Sequence, residues 1–373
     1  MPYILWHKGV PWEHLVDIAM FRRFGRFFTF ASLCLIVACE TPSASPGAGV
    51  ATSSVLAPSP QVEPETKQTS VIGKVPFDVW LVDFRKEALG KGIGEATLNS
   101  AFADVKLIPR VVELDRAQPE FKLNFKKYME RVAPQSRIDK GRIKLKEHAA
   151  LLDPIAKEYH VPARIIVALW AVETDFGRVT GGFPVISSLV TLAYDGRRSS
   201  FFRGELINAL QIIDQGHITA ERMKGSWAGA MGQNQFMPSS FLRFAVDRDG
   251  DGKRDIWGST PDVLASIANY ISKSGWNPDL NWGREVRLPS GFDSALVSMD
   301  IRKPLSDWQN LGVRAAGGGN LPSKDVLASL VAPEGVGGPA FLVYENYRVI
   351  MKWNRSHSFA LAVGHLADRF VSK

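Results

Sequence analysis

"ALWAVETDFGRVTGG", residues 168–182, sets a lone acid, Glu173, in a run that otherwise reads as a buried helix. Upstream, "HVPARIIVALWAV" puts Pro162 where a first helical turn tolerates it, and Ile, Val, Leu and Trp follow, so the pattern predicts a helix. At helical spacing Ile166, Leu169, Trp170 and Phe176 share the face of Glu173. A carboxylate among apolar side chains is costly to ionise, so its pKa is expected to rise and its proton to be retained near neutral pH. That is the profile of a general acid. A helix glutamate also serves as a partner for arginine or sits solvated at a stripe's edge, and the helix pattern alone leaves those readings open.

The rest of the chain frames that helix. With 373 residues, 45% hydrophobic and 22% charged, it can bury one large core or a few smaller ones, and disorder of the whole chain is excluded. The net charge of +7 is spread along the sequence rather than gathered into a basic arm, so no nucleic-acid partner is expected. Both cysteines, Cys34 and Cys39, fall near the N-terminus, where neither a disulfide framework nor a zinc site can support the folded body.

From Met20 the sequence runs "MFRRFGRFFTFASLCLIVACE": Arg22, Arg23 and Arg26, then an apolar stretch too short to cross a bilayer as a stable helix. It reads as an export signal over residues 1–39, with Met20 the better start because Glu13 and Asp17 precede it. "IVAC" resembles the lipobox of bacterial lipoproteins, which implies a Cys39 diacylated on its thiol and exposed as the new N-terminus. The plain alternative is an ordinary cysteine in a hydrophobic segment. Residues 40–75, rich in Pro, Ser, Ala and Thr without hydrophobic periodicity, read as a flexible tether.

Helical spacing then dominates residues 76–278, from "FDVWLVDFRKEALGKGI" through "FFRGELINALQIIDQG" to "TPDVLASIANYISKSGW". After Gly275 the texture shifts to Trp, Pro and Gly. "GREVRLPSGF" and the Gly317–Gly319 run predict short strands and loops in a small β-containing region, residues 279–342. Residues 343–373 end in a helical pattern, "SFALAVGHLADRF", and no repeat period marks a solenoid.

Two further stretches carry chemistry. "KGSWAGAMGQNQFMPSS" is dense in Gly, Ala and Ser with amides, a composition suited to backbone lying close to a ligand, with Met231 and Phe236 as a floor; tight helix packing is the bland reading. "DRDGDGKRDIWGSTPD" opens like an EF-hand loop, with Asp247, Asp249 and Asp251 at positions 1, 3 and 5, Gly252 at the sharp turn and Lys253 offering a backbone carbonyl. Position 12 is Gly258 instead of glutamate, so the strict motif fails, and a solvated turn-forming loop is the alternative.

"ALWAVETDFGR", "LVTLAYDGRRSSFFRGEL", "KGSWAGAMGQNQFMPSSF", "AVDRDGDGKRDIW", "IANYISKSGW" and "GPAFLVYENYRVIMKWNRSHSFALAVGHLA" occur in order and together resemble the membrane-bound lytic murein transglycosylase B family, glycoside hydrolase family 103. The resemblance runs from about Phe77 to the C-terminus. It implies a mainly α (α+β) fold: a lysozyme-like helical core, an added helical domain and a small β-containing domain. It also implies cleavage of the β-1,4 bond between N-acetylmuramic acid and N-acetylglucosamine in peptidoglycan without added water, leaving a 1,6-anhydromuramic end.

By resemblance Glu173 matches the catalytic acid/base, Ser226 and Gln235 match residues that hydrogen-bond the sugar, and Tyr270 matches one that supports the carboxyl. Arg197 and Arg198 match a pair suited to the acidic stem peptide or the lactyl group, although arginine pairs are more often solvated surface. Trp353, Asn354 and Phe359 fall where the family often has Tyr, Asn and Tyr; Trp353 keeps an aromatic platform for a sugar ring, while core packing competes at Phe359. Asp262 is the candidate that closes a longer calcium loop.

No cofactor is needed for the chemistry, and a Ca²⁺ ion would be structural. The implied partners are glycan strands, the membrane through the Cys39 lipid, and cell-wall synthesis or division proteins; the implied location is periplasm-facing, at the outer membrane. Asp175 lies two residues from Glu173, about 200° around a helix, so it cannot face the same bond, and no clear second catalytic carboxylate is visible. One carboxyl then suffices if the substrate's own acetamide stabilises C1 and its 6-hydroxyl replaces water. A hydrolytic muramidase and a non-catalytic peptidoglycan-binding lipoprotein are the alternatives.

Overall fold

The computed structural model describes residues 75–117 and 124–372. The signal segment, Cys39 and the tether up to residue 74 lie outside the described residues. Helices come first: α1 (Phe77–Gly90), α2 (Glu95–Phe102), α3 (Pro109–Arg116), α4 (Phe125–Val132), α5 (Gln135–Glu147) and α6 (Ala149–Tyr159). The predicted central helix follows as α7 (Ala163–Thr174), with Pro162 directly before it. Then come β1 (Phe183–Pro184), α8 (Val185–Asp195), α9 (Ser199–Asp214), β2 (Lys224–Gly225), α10 (Pro238–Phe244) and α11 (Thr260–Lys273). The Ser259 side chain accepts the N–H of Asp262 and Pro261 occupies the first turn, which fixes where α11 begins.

Every residue of α7 from Ile165 to Thr174 is buried. A helix apolar on all sides belongs at the centre of a core. Accordingly α5, α6 and α11 pack around α7, and the last helix, α14 (His357–Val371), lies along it.

The helix stops sooner than its pattern predicts. Asp175, Phe176 and Gly177 all take positive φ, at 49°, 61° and 78°, so Phe176 does not share the helical face of Glu173. Instead the chain folds back and the Phe176 ring meets Trp170 edge-on at 5.6 Å. Thr174 pins the turn: its hydroxyl donates to the Gln233 carbonyl (2.9 Å) and accepts the N–H of Gly177 (3.0 Å). The φ of 78° favours glycine at Gly177, and a Cβ there would also stand 2.1 Å from Gln233 Oε1 and displace that side chain.

Beyond α11 a five-stranded antiparallel sheet forms from β3 (Gly283–Arg287), β4 (Lys303–Pro304), β5 (Arg314–Ala315), β6 (Leu327–Val331) and β7 (Ala340–Val343), with α12 (Leu305–Asn310) following β4. The strand order is β4-β6-β7-β3-β5. Alternation decides how it packs. Ala328, Leu330, Ala340 and Leu342 face a small core around Trp308, whereas Val331, Phe341 and Val343 face the main helical core. A one-residue slip would swap the two sets, and with each large apolar side chain worth roughly 1.5–3 kcal/mol on burial the register is firmly set. The sheet leads through Tyr344 into α13 (Glu345–Trp353), which carries the C-terminal chain back to the end of α7.

Candidate active site

Glu173 sits in the last turn of α7 with 0% of its surface exposed. Trp353, the last residue of α13, donates its indole N–H to Glu173 Oε1 at 2.6 Å. Aromatic packing holds that indole in place: Tyr270 lies 4.6 Å away and Phe236 5.3 Å, ring centre to ring centre. The Tyr270 hydroxyl donates to the Lys352 carbonyl (2.8 Å), which fixes the backbone next to Trp353. An indole has one donor and no acceptor, so it can only address Oε1 as a lone pair. The proton of the acid form is therefore directed to Oε2.

This arrangement departs from the expectation at Trp353. A sugar platform needs an open aromatic face, but Trp353 is 2% exposed and its polar edge is spent on the acid. It acts as a positioning residue. Tyr270 packs on Trp353 and fixes the end of α13, and through both it supports the carboxyl. Phe359, also 2% exposed, lies in the main core, so the packing reading holds there and no face is available to a sugar. Asn354 caps α13 with 1% exposure; its Oδ1 accepts the N–H of Ser356 (3.0 Å), and its Nδ2 has no hydrogen-bond partner among the described residues.

The loop rich in small residues lies against the end of α7. β1 and β2 pair antiparallel, and Met231 bridges to both Gly225 and Phe236. Ser226 Oγ accepts the N–H groups of Ala228 (3.3 Å) and Ala230 (3.1 Å). Gln235, at φ 48°, donates Nε2 to the carbonyls of Thr180 (3.1 Å) and Gly232 (2.9 Å). Backbones come so close that a Cβ at Gly181, where φ is 86°, would fall 2.2 Å from the Gly225 carbonyl oxygen. Met231 and Phe236, expected as floor, are buried at 0% and 2% and belong to the core beneath it.

Two residues that sequence reasoning missed complete the surroundings. Gln233 ties α7 to the loop, accepting the Trp170 indole N–H (2.9 Å) and donating to the Trp257 carbonyl (2.9 Å). Tyr128 on α4 is the other: burial first, and then the nearby Glu173 charge, hold its phenol well above the usual range, so it remains a protonated donor. Asp175 is drawn away from the acid. Burial pushes its carboxyl up, but hydrogen bonds from Arg178 and Lys140 and the charge of Arg137 outweigh that and hold it below the usual range.

The arginine pair is also committed. Arg197 Nε meets Asp115 Oδ2 at 2.6 Å, Arg198 binds the other Asp115 oxygen, and Asp115 is 1% exposed. Their chemistry as drawn is to lock α3 onto the α8–α9 turn, which differs from the expected role in holding substrate.

In the acidic loop Asp247, Asp249 and Asp251 bring carboxylate oxygens within 4.8 Å of one another. Asp262 does not join that cluster. It is fully buried, its two oxygens accept the N–H groups of Arg248 and Asp255 at 2.7 Å each, and burial pushes its carboxyl up. Lys253 donates its N–H to Asp251 (2.8 Å), and Asp255, overlooked in the sequence, accepts the N–H groups of Trp257 and Gly258 to close the loop.

One dehydrated carboxyl, oriented by an indole, suits proton transfer to a glycosidic oxygen, and the helical core around it is that of lysozyme-like enzymes that cut glycans. The chain belongs to the family described as Transglycosylase SLT domain, whose profile matches residues 76–368, and is an enzyme of the lytic transglycosylase class. It is 31% identical to the membrane-bound lytic murein transglycosylase B of Escherichia coli K12 over 250 residues, 65% of this chain and 66% of that one. The crystal structure of Pseudomonas aeruginosa SltB3, in complex with NAG-NAM-pentapeptide, matches with a TM-score of 0.78 and 49% identity over 81% of each chain. The same enzyme is also known with NAG-anhNAM-pentapeptide. Escherichia coli Slt35, in a complex with calcium, matches with a TM-score of 0.66 and 26% identity, covering 81% of this chain and 94% of that one.

Removing the indole donor tests its positioning role. In Trp353→Phe the ionised carboxyl loses a hydrogen bond, so the alkaline limb of the kcat/KM profile is expected to move to higher pH while kcat falls; Trp353→Tyr, which restores a donor, should return the limb toward its original place. A Phe variant whose profile keeps the parent's shape would show that the contact only fills space.

Proposed function

We propose that the chain carries out the lytic transglycosylase reaction with Glu173 as its single acid and base. Glu173 protonates the glycosidic oxygen linking N-acetylmuramic acid to N-acetylglucosamine, and the substrate's acetamide stabilises C1 as the bond breaks. The resulting Glu173 carboxylate takes the proton of the C6 hydroxyl as that oxygen bonds to C1. The proton lost in the first step is regained in the second, no water is consumed, and the product ends in a 1,6-anhydro ring.

The observation that carries this reading is that the other buried carboxylates among the described residues are each committed to a partner of their own. Asp115 is held by Arg197 and Arg198, Asp195 by Arg116, Glu205 by Ser239, and Asp262 by two backbone N–H groups. None of these is offered as the nucleophile that a two-carboxylate glycosidase places about 5–5.5 Å from its acid. The SltB3 complex with an anhydromuramic ligand supports the same chemistry. Ser226, Gln235 and Asn354 remain the proposed sugar contacts: they are as buried as Trp353, but a hydroxyl or amide needs only one polar atom at the wall of the site where a stacking platform needs an open ring face.

A hard cation in the acidic loop is part of the proposal. Converging carboxylates repel one another unless a cation joins them, and Ca²⁺ takes all-oxygen ligands of this kind. Asp247, Asp249 and Asp251 would hold it, with the Lys253 carbonyl, while Asp262 anchors the loop from behind; Slt35 was crystallised with calcium. The chain is further proposed to be periplasm-facing and anchored at the outer membrane by lipid on Cys39. The lipobox and the membrane-bound relative support this, and no helix among the described residues is long and apolar enough to cross a membrane.

Three measurements test these statements. Glu173→Gln should still bind sacculi while turnover drops about 10²- to 10⁴-fold, and parent products should be one water lighter than a hydrolytic muramidase would give. Turnover that survives the substitution, or reducing-end products, removes the mechanism. Millimolar CaCl₂ should raise the melting temperature of the parent but not of Asp251→Asn; two superimposable parent curves with and without the metal rule the ion out. Mass spectrometry of protein from membranes should find a lipid-modified peptide starting at Cys39, and an unmodified peptide spanning residues 30–50 would refute the anchor.

A further inference from the structure

A cavity of about 1040 Å³ opens where α10, α11 and α13 meet the edge of the β-containing region. Its lining is strongly one-sided in charge: Arg243, Lys273, Arg348, Lys352 and Arg355 against one acid, Asp300. Some of these cations have local duties. Lys352 Nζ donates to the Ser274 carbonyl at 2.6 Å, and Arg348 hydrogen-bonds Met299 and Ser329. Arg243 and Lys273 are both exposed and form no ion pair among the described residues; the Arg243 guanidinium rests 5.0 Å over the ring of Phe244. Arg348 also pairs with Glu345 at 3.8 Å, so the charge left for a ligand centres on Arg243 and Lys273, and holding such cations together in one concavity favours the recruitment of an anionic group.

The cavity is joined to the chemistry. Tyr270 forms part of its wall, packs on Trp353, and Trp353 in turn holds Glu173, so a single aromatic layer connects the basic lining to the acid. The glycan backbone of peptidoglycan is neutral at its sugar rings; the anions of a strand are the carboxylates of the peptides borne by muramic acid. The arginine pair expected to meet such a peptide is occupied by Asp115.

We propose that this basic cavity, with Arg243 and Lys273 at its open side, binds the carboxylates of the stem peptide and selects peptide-bearing strands over stripped glycan. The inference rests on the reading of the chain as a lytic transglycosylase given above. Arginine recognises a carboxylate in bidentate fashion, and lysine adds a mobile point charge. Exposed ion pairs are individually weak, so the effect depends on several acting on one flexible peptide.

The test uses the whole protein and two preparations of glycan: sacculi with intact stem peptides, and strands stripped of peptide by an amidase. For the parent, kcat/KM should favour the peptide-bearing strands, and the preference should shrink as salt is raised. In Arg243→Gln/Lys273→Gln the preference should fall by about tenfold. Binding to Glu173→Gln of a disaccharide-pentapeptide, compared with the same disaccharide lacking peptide, gives an independent readout, and the added double substitution should erase the difference.

A parent that cuts both preparations equally, or a double variant that keeps the full preference, overturns the proposal while anhydro products from either strand leave the catalytic reading intact. Absence of anhydro products from both strands removes the catalytic reading instead. Should the double substitution change binding to anionic lipid vesicles but not to the pentapeptide ligand, the cavity serves a membrane surface and the stem-peptide assignment is wrong.

Discussion

A hydrogen bond between residues 180 positions apart governs this molecule: the indole of Trp353 on the carboxyl of Glu173. A fully buried carboxyl is a liability wherever it lacks a polar contact, since the cost of burying an unsatisfied group exceeds the net value of most single hydrogen bonds. The architecture beyond α11 can be understood as the means of delivering that contact. The sheet is apolar on both faces, docks on the helical body through Phe341 and Val343, and releases the chain into α13 at one defined point. From there nine residues of helix bring Trp353 to the end of α7.

The backbone around the acid is held in conformations that a free chain avoids. Asp175 and Phe176 are non-glycine residues at positive φ, and Gln235 across the site is a third. Each such residue costs on the order of 1–3 kcal/mol, so the turn persists only because its surroundings fix it. Asp175 is gripped by Arg137, Lys140 and Arg178; Phe176 lies on Trp170; Thr174 and Gln233 bind one another. The benefit is that the helix ends one residue beyond Glu173, which leaves the acid at a helix terminus facing a loop of small residues instead of inside a continuous rod.

Local pattern made much of this legible. The helical run from Ile165 to Thr174, the insertion of one acid into it, the strand texture after Gly275 and the convergence of Asp247, Asp249 and Asp251 all follow from spacing over a dozen residues or fewer. What escaped were statements about pairing across the fold. An aromatic residue in a motif does not declare whether its face is open: Trp353, expected as a sugar platform, is buried, and at Phe359 core packing wins over the sugar contact. An arginine pair does not declare its anion, and here Asp115, some eighty residues away, takes both. Phe176 was misplaced because helical periodicity carries no sign of three consecutive positive φ angles, apart from Gly177 itself.

The proposed mechanism asks one carboxyl to be acid and then base, and a tryptophan at position 353, where the family resemblance implies a tyrosine, bears on that demand. A hydroxyl can donate to the carboxylate or accept from the acid, following the proton; an indole can only donate. Burial favours the protonated Glu173 needed to begin, whereas the indole favours the ionised form that must later take the C6 proton. The two effects oppose one another on the same group. On the mechanism proposed above, a donor fixed on Oε1 would leave both transfers to Oε2, so the proton would leave and return at one oxygen without the carboxyl having to turn in a site that aromatic packing has closed around it.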